Sequence, residues 1–465
     1  MFDASTYATR RHALCERLGT DGVILLLGNR ESPANYPANP YPFRQDSSFL
    51  YYWGIDAPGY DAVVDGATGT ATLYGDAAGL DTVVWTGPQP TPADRAQAAG
   101  ADRVASASDL ARDLDAAVRD GRRVHVLPPY RDTQRRRLQS LLGIDADRLE
   151  AYVSTALIDA VVAQRAVKSD AEVAELETAL DTTAAAHGAV MRAAVPGATE
   201  QALVGRLTGI VRKRGGHLSF PPICSVRGEV LHNHHYDNTL SDGDLLLLDA
   251  GATAPSHYAA DITRVTPVGG HFGERQRAIY EAVLAAQEAA IEAIAPHVPF
   301  RDLHLLAARV LTEHLQTIGL MRGEVEASVE AGAHALFFPH GLGHLMGLDV
   351  HDMEGLGEDR VGYGPGQTRS SQFGLNALRL ARPLQPGFVV TVEPGLYFIP
   401  DLIRQWEADD RHRAYINYDA VEDFLDVGGV RIEDDVLVTE NGPRVLGPAI
   451  PKAPEAVEAL AGADA

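Results

Sequence analysis

Two apolar runs end in the same way: "LLLLDAG" at 245–251 delivers Asp249, and "VVTVEPG" at 389–395 delivers Glu393. Each carboxylate is followed by one small or rigid residue and then glycine. Asp261 lies in "ADITR", and Glu433 lies in "GVRIEDDVLV" at 429–438, where the alternation changes. The stretch "FPHGLGHLMGLDVHD" adds His340, His344 and His351. Carboxylates at the ends of buried strands need a partner, a proton or a metal, because burying unpaired charge is costly. Asp249, Asp261, His344, Glu393 and Glu433 together offer four carboxylates and one imidazole, a donor set suited to hard or borderline divalent cations such as manganese, cobalt or zinc. Because a carboxylate can bridge, such a set can hold two cations about 3.5–4 Å apart that share one water and lower its pKa. The chemistry this implies is hydrolysis by the shared hydroxide.

Competing chemistries are missing from the sequence. There is no G-x-S-x-G elbow, no G-x-x-x-x-G-K-[ST] loop and no H-E-x-x-H pair, and the glycines of "GLGEDRVGYGPGQ" have neither a strand before them nor a phosphate-type lysine after them. His12, His125, His297 and His304 read as ordinary core or surface histidines. His340 and His344 stand four apart, as two ligands on a helix would, but Gly341 and Gly343 disfavour a regular helix. A tight loop is expected there, ending on a strand-like "LMGLDVHD". The hairpin "LLLLDAGATAPSHYAADITRVTPV" is expected to bring Asp249 and Asp261 to one edge.

The elements that must position these groups fall in two blocks. The chain has 465 residues, too many for one ordinary core, which predicts two domains, 1–165 and 166–465. In the first, "GVILLLG", "DAVVDGATGTATLYG", "DTVVWTG" and "RRVHVLPPY" read as strands between helical segments, an α/β domain. In the second, a long helix opens on Ser169 and Glu172, spaced as a capping box, and Pro196-Gly197 closes it. Helices are also expected at 199–214, 274–295 and 301–318, with strands between and after them, an α+β domain. Cys15 and Cys224 are the only cysteines and cannot build a disulfide framework, which suits a reducing compartment. The opening residues do not read as a signal peptide, so a cytoplasmic protein is expected. A net charge of −23 argues against nucleic acid or anionic membrane as partners, and no apolar run approaches the length of a bilayer span. The only lysines are Lys168, Lys213 and Lys452, a bias that a GC-rich genome or a salt-rich cytoplasm could equally produce.

In order, "LLLLDAG", "ADITR", "FPHGLGHLMGLDVHD", "TVEPGLYF" and "GGVRIEDD" resemble the signatures of the pita-bread metallopeptidases, specifically the aminopeptidase P and prolidase branch that cleaves Xaa-Pro bonds. "FRQDSSFLYYWGIDAPG" at 43–59 is similar to a motif of that family's N-terminal domain. The resemblance implies a creatinase-type α/β N-terminal domain and a pita-bread catalytic domain. It makes Asp249 a ligand of one metal, Asp261 and Glu433 bridging ligands, and His344 and Glu393 ligands of the other, with Glu393 handling the proton of the attacking water. It implies that His232 and His351 contact the substrate and stabilise the tetrahedral intermediate, with His340 in support and Arg431 beside the ligands on the substrate side. The metals would be two divalent ions, foremost manganese. In "HNHHYDN" the choice lies between His232, His234 and His235, and the spacing to "LLLLDAG" favours His232. Between Asp249 and Asp261 the chain is one residue longer than the family spacing, which predicts an extra turn residue or a bulge.

An Xaa-Pro bond has no N–H, so a site for it must accept the pyrrolidine ring instead of hydrogen-bonding an amide. Two specificities are compatible. Arg379, in "LNALRLARPLQPGFVVTVEPG", stands where prolidases bind the free carboxylate of proline, whereas "VVWTGPQP" and "HVLPPYR" look like bacterial aminopeptidase P. The reading leans narrowly to an Xaa-Pro aminopeptidase, with Xaa-Pro dipeptidase as the alternative. A non-enzymatic pita-bread peptide-binding module is the remote third reading, disfavoured by the intact donor set. The resemblance also implies a homodimer or larger homo-oligomer, the first domain of one subunit walling the active site of the next.

Overall fold

The computed structural model describes residues 2–364 and 366–463. They divide into two compact units, one ending at Arg165 and one beginning at Ala166. The first unit is built on a five-stranded mixed sheet in which an inner strand, Val23–Leu27, is buried along its whole length. That strand pairs antiparallel with Asp61–Asp65 and parallel with Val124–His125, and the order ends beyond Ala71–Tyr74 with Arg103–Ala105. Val23, Leu25 and Leu27 pack against Leu110 and Leu114 of helix Asp109–Arg119 and Leu138 of helix Asp132–Leu142. The family-like segment forms a wholly buried helix, Ser47–Trp53, capped by the Asp46 carboxylate, which accepts from the Phe49 amide.

One expected strand of this unit is a helix. "DTVVWTG" folds as Leu80–Thr86, with Leu80, Val84 and Trp85 exposed. Its β-branched run lacks a sheet position, because the edge of Ala71–Tyr74 is already taken by Arg103–Ala105. Strand propensity expresses itself only where neighbouring strands and burial are supplied.

The second unit begins with helix Asp170–Ala193, where the Ser169 hydroxyl and Glu172 carboxylate cap each other's backbone as the sequence predicts. Helices Glu200–Lys213, Glu274–Glu292 and Phe300–Thr317 follow. Two three-stranded antiparallel sheets carry the carboxylate motifs, one centred on Leu245–Asp249 and the other on Asp434–Thr439. Leu246 and Leu248 share a core with Val190 and Ala194 of the first helix and Leu203 and Leu207 of the second. The expected strand at "LMGLDVHD" is absent: only Leu345 makes a bridge, to Val390, before the chain turns. Among the described residues no helix is long and apolar enough to cross a membrane.

Candidate metal centre

The hairpin that carries Asp249 and Asp261 keeps one register from base to tip. Thr263 pairs with Asp249, Ala250 donates to the Ile262 carbonyl, Ala260 donates to Ala252, and Thr253 bridges Ala259. Cross-strand partners share a face and alternate residues return to it, so Asp249, Asp261 and Thr263 all point the same way. The extra residue is absorbed at the tip. Ala254 and His257 close a turn with Pro255 at its first corner and His257 in the left-handed region (φ 73°), while the Ala254 amide reaches Tyr258 at 2.9 Å. A bulge within the strands would have turned Asp261 away; the two-for-one pairing of His257 and Tyr258 with Ala254 is confined to the tip.

The second pair of carboxylates arises from a different local rule. Val392 pairs with Asp434 and Gly395 with Arg431, so the same register carried through the gap sets Glu393 opposite Glu433 and Pro394 opposite Ile432. Proline has no N–H to give to the ladder, and both strands break at this step. The run that reads as one strand, "GVRIEDDVLV", is therefore two, Gly429–Arg431 and Asp434–Thr439. After the break the acidic run alternates: Asp434 turns to Arg264 and Lys452, while Asp435 accepts from the Asp261 amide at 3.2 Å.

His344 is delivered by the glycine loop. The loop runs beside strand Val389–Val392, with the Thr391 amide on the His344 carbonyl and the Glu393 amide on the Leu342 carbonyl. A Cβ at Gly343 would run into the Thr391 carbonyl oxygen, so the close approach requires glycine. Nδ1 of His344 faces the Leu345 carbonyl, which places the proton there and leaves Nε2 as an acceptor 3.6 Å from both Asp261 Oδ2 and Glu393 Oε1. Donor atoms of Asp261, His344 and Glu433 all lie within 4.8 Å of one another.

All ten residues singled out from the sequence, His232, Asp249, Asp261, His340, His344, His351, Arg379, Glu393, Arg431 and Glu433, line one cavity of 410 Å³. His234 lines it as well, and His235 does not. Asn233, buried and bonded to Ser225, holds this loop.

The electrostatics of the cavity are those of a cation site. Burial, and then the facing Glu433, push the Asp261 carboxyl well above the usual carboxylate range; burial, and then Glu393, do the same to Glu433. Burial pushes Glu393 up to about 7 against the opposing pull of Arg431. Buried oxygens of Asp249 and Asp261 have no hydrogen-bond partner among the described residues. Unpartnered buried carboxylate oxygens converging with an imidazole acceptor fit a divalent metal. Burial and the Arg431 charge hold the His340 imidazole down to about 3, so it is neutral.

Three residues outside the predicted set position these groups. Thr263 donates to Glu433 Oε2 at 2.6 Å and accepts from Arg431 Nε at 3.1 Å. Thr391 accepts from the His344 amide at 3.1 Å and donates toward Glu393. The Tyr397 hydroxyl accepts from Arg431 Nη1 and donates to His340 Nε2, each at 2.8 Å, while His340 Nδ1 donates to the Gly341 carbonyl. Arg431 also holds Asp249 at 2.5 Å. All three lie within or beside the quoted motifs, where an uncharged residue gives no signal of its own.

Residues 174–440 match the model of metallopeptidase family M24, and residues 7–126 match the aminopeptidase P N-terminal domain. The chain belongs to family M24. It is a peptidase by that membership, with the pita-bread catalytic domain of the family. This M24 chain is 34% identical to the human Xaa-Pro dipeptidase over 475 residues, covering 98% of this chain and 94% of that protein. It is 31% identical to a probable Xaa-Pro aminopeptidase of Aspergillus niger, covering 98% of each. Among solved structures, the aminopeptidase PepP of Pseudomonas aeruginosa superposes with a TM-score of 0.82 at 29% identity, covering 99% of this chain and 98% of that one.

Proposed function

We propose that this M24 peptidase removes the N-terminal residue from peptides with proline in second place, using two divalent metal ions, foremost manganese, with cobalt or zinc as alternatives. The observation that carries this reading is the convergence of Asp249, Asp261, His344, Glu393 and Glu433 on one cavity with unpartnered carboxylate oxygens. Asp249 would serve one ion, His344 and Glu393 the other, and Asp261 and Glu433 both. When bound, the ions supply charge for a developing oxyanion and lower the pKa of water.

The remaining roles fall to side chains. Glu393, beside the attacking water, exchanges its proton. His232 and His351 stand on the cavity wall, His232 as a donor for the substrate carbonyl and its tetrahedral successor and His351 in contact with the substrate, its Nδ1 proton given to Glu354. His340, locked between Tyr397 and Gly341, shapes the wall. Phe220, Pro221, Ile223 and Leu231 give the cavity an apolar side suited to a pyrrolidine ring.

A second, open groove of 730 Å³ along Gly357 and Arg360 shares Ala377 and Arg379 with the cavity, and we read it as room for residues after proline. That favours the aminopeptidase. The dipeptidase remains the second reading because Arg379 faces the cavity, where it can meet a free carboxylate. Parallel hydrolysis of Ala-Pro and Ala-Pro-Ala by the manganese-loaded protein and its Arg379→Ala variant separates them. Release of alanine from Ala-Pro-Ala with the variant little changed supports the aminopeptidase; cleavage of Ala-Pro alone, lost in the variant, supports the dipeptidase. The same reading carries a cytoplasmic homodimer or larger assembly, in which the N-terminal unit of one subunit walls the active site of the next. A fully active monomer in light scattering would refute that assembly.

A further inference from the structure

Glu354 does not line the cavity, yet it joins two residues that do. Its Oε2 accepts from Nδ1 of His351 at 3.1 Å and from Nη1 of Arg379 at 2.6 Å. Its position is set by the backbone. Met353, buried and left-handed (φ 65°), starts the short helical turn Glu354–Leu356, and the Glu354 amide returns to the His351 carbonyl at 3.3 Å. A second carboxylate, Glu358, lies 3.8 Å from the same Arg379 nitrogen. Arg431, also on the cavity wall, is committed to Asp249, Thr263 and Tyr397. The guanidinium that could greet a free proline carboxylate therefore already faces two carboxylates.

We infer that Glu354 is a positioning residue that sets how long a peptide this enzyme prefers, by neutralising Arg379 and tying it to His351. The inference rests on the peptidase reading above. A dipeptide brings a carboxylate to Arg379, and Glu354 opposes it through like charge. A proline whose carbonyl is amide-bonded brings no such charge and is unaffected. Discrimination of this kind works by penalising the wrong substrate instead of improving the right one.

The test compares Ala-Pro with Ala-Pro-amide, which differ at the carboxylate alone, on wild type, Glu354→Gln, Arg379→Ala and the double variant. Glu354→Gln should lower KM for Ala-Pro by about fivefold, in the range of one partly exposed ion pair. KM for Ala-Pro-amide should stay within about twofold, any fall in kcat through His351 should be shared equally by both substrates, and the KM effect should vanish in the Arg379→Ala background. An unchanged or higher KM for Ala-Pro overturns the inference, because Glu354 would then serve His351 alone. A wild type that cleaves neither compound sinks the peptidase reading instead. Calorimetric titration of Ala-Pro and Ala-Pro-amide into the same proteins then decides the inference: tighter binding of Ala-Pro alone by Glu354→Gln upholds it, and equal binding by wild type and variant overturns it.

Discussion

Replacing Glu393 by glutamine in the metal-stripped protein should stabilise the fold, and by an amount that grows with pH. The folded-state value of about 7 stands above the reference of 4.5 because burial disfavours the charged form. Between those values the folded protein binds more protons than the unfolded chain, so stability falls as pH rises. Below pH 4.5 both states are protonated and the cost is absent; above 7 it is fully present. At about 1.4 kcal/mol per pH unit this amounts to about 3 kcal/mol. Asp261 and Glu433 titrate in the same cluster and share part of it, so about 3 kcal/mol is a ceiling. The assay is urea unfolding followed by circular dichroism, in EDTA, on wild type and Glu393→Gln from pH 5 to 8. The difference should open in favour of the variant as pH rises, then close or reverse when manganese is added, because metal binds only the folded wild-type site. A difference flat with pH, or a wild type more stable at pH 8 in EDTA, would refute the reasoning.

Other variants probe the supporting contacts. Tyr397→Phe leaves Arg431 Nη1 and His340 Nε2 without their 2.8 Å partner in a buried setting, and should cost about 2–4 kcal/mol of unfolding free energy by urea titration. Thr263→Val keeps the shape but removes the hydroxyl between Glu433 and Arg431; it should cost about 1–3 kcal/mol and weaken manganese binding in calorimetry. His344→Ala removes the imidazole donor and should lower manganese affinity at least tenfold, about the least expected for loss of a ligand if loss of an outer partner alone costs that much.

Much of this arrangement was legible because Asp249 and Glu393 each end an apolar run against glycine or proline. The hairpin partners of Asp249 follow from alternation, and Glu393 meets Glu433 because Pro394 interrupts a ladder whose register continues on both sides. The Ser169 capping box was equally local and equally readable. What escaped depends on tertiary supply. The run at 81–87 has strand residues but not the place beside Ala71–Tyr74, which Arg103–Ala105 takes, and "LMGLDVHD" has the alternation of a strand but turns after a single bridge at Leu345. Glu354 was invisible for a further reason: its role needs a left-handed Met353 and an arginine 25 residues away, neither of which a sequence pattern announces.

On the proposed function, cleavage before proline requires metal held by these five side chains. Manganese should be titrated into the EDTA-stripped protein while bound metal and release of alanine from Ala-Pro-Ala and Ala-Pro are followed together, for wild type and Glu433→Gln. Activity should be absent without metal and rise to a plateau at about two ions per chain, and the variant should neither fill nor cleave. Activity that survives complete metal removal, or a Glu433→Gln protein that binds and cleaves as wild type does, would contradict the proposed function.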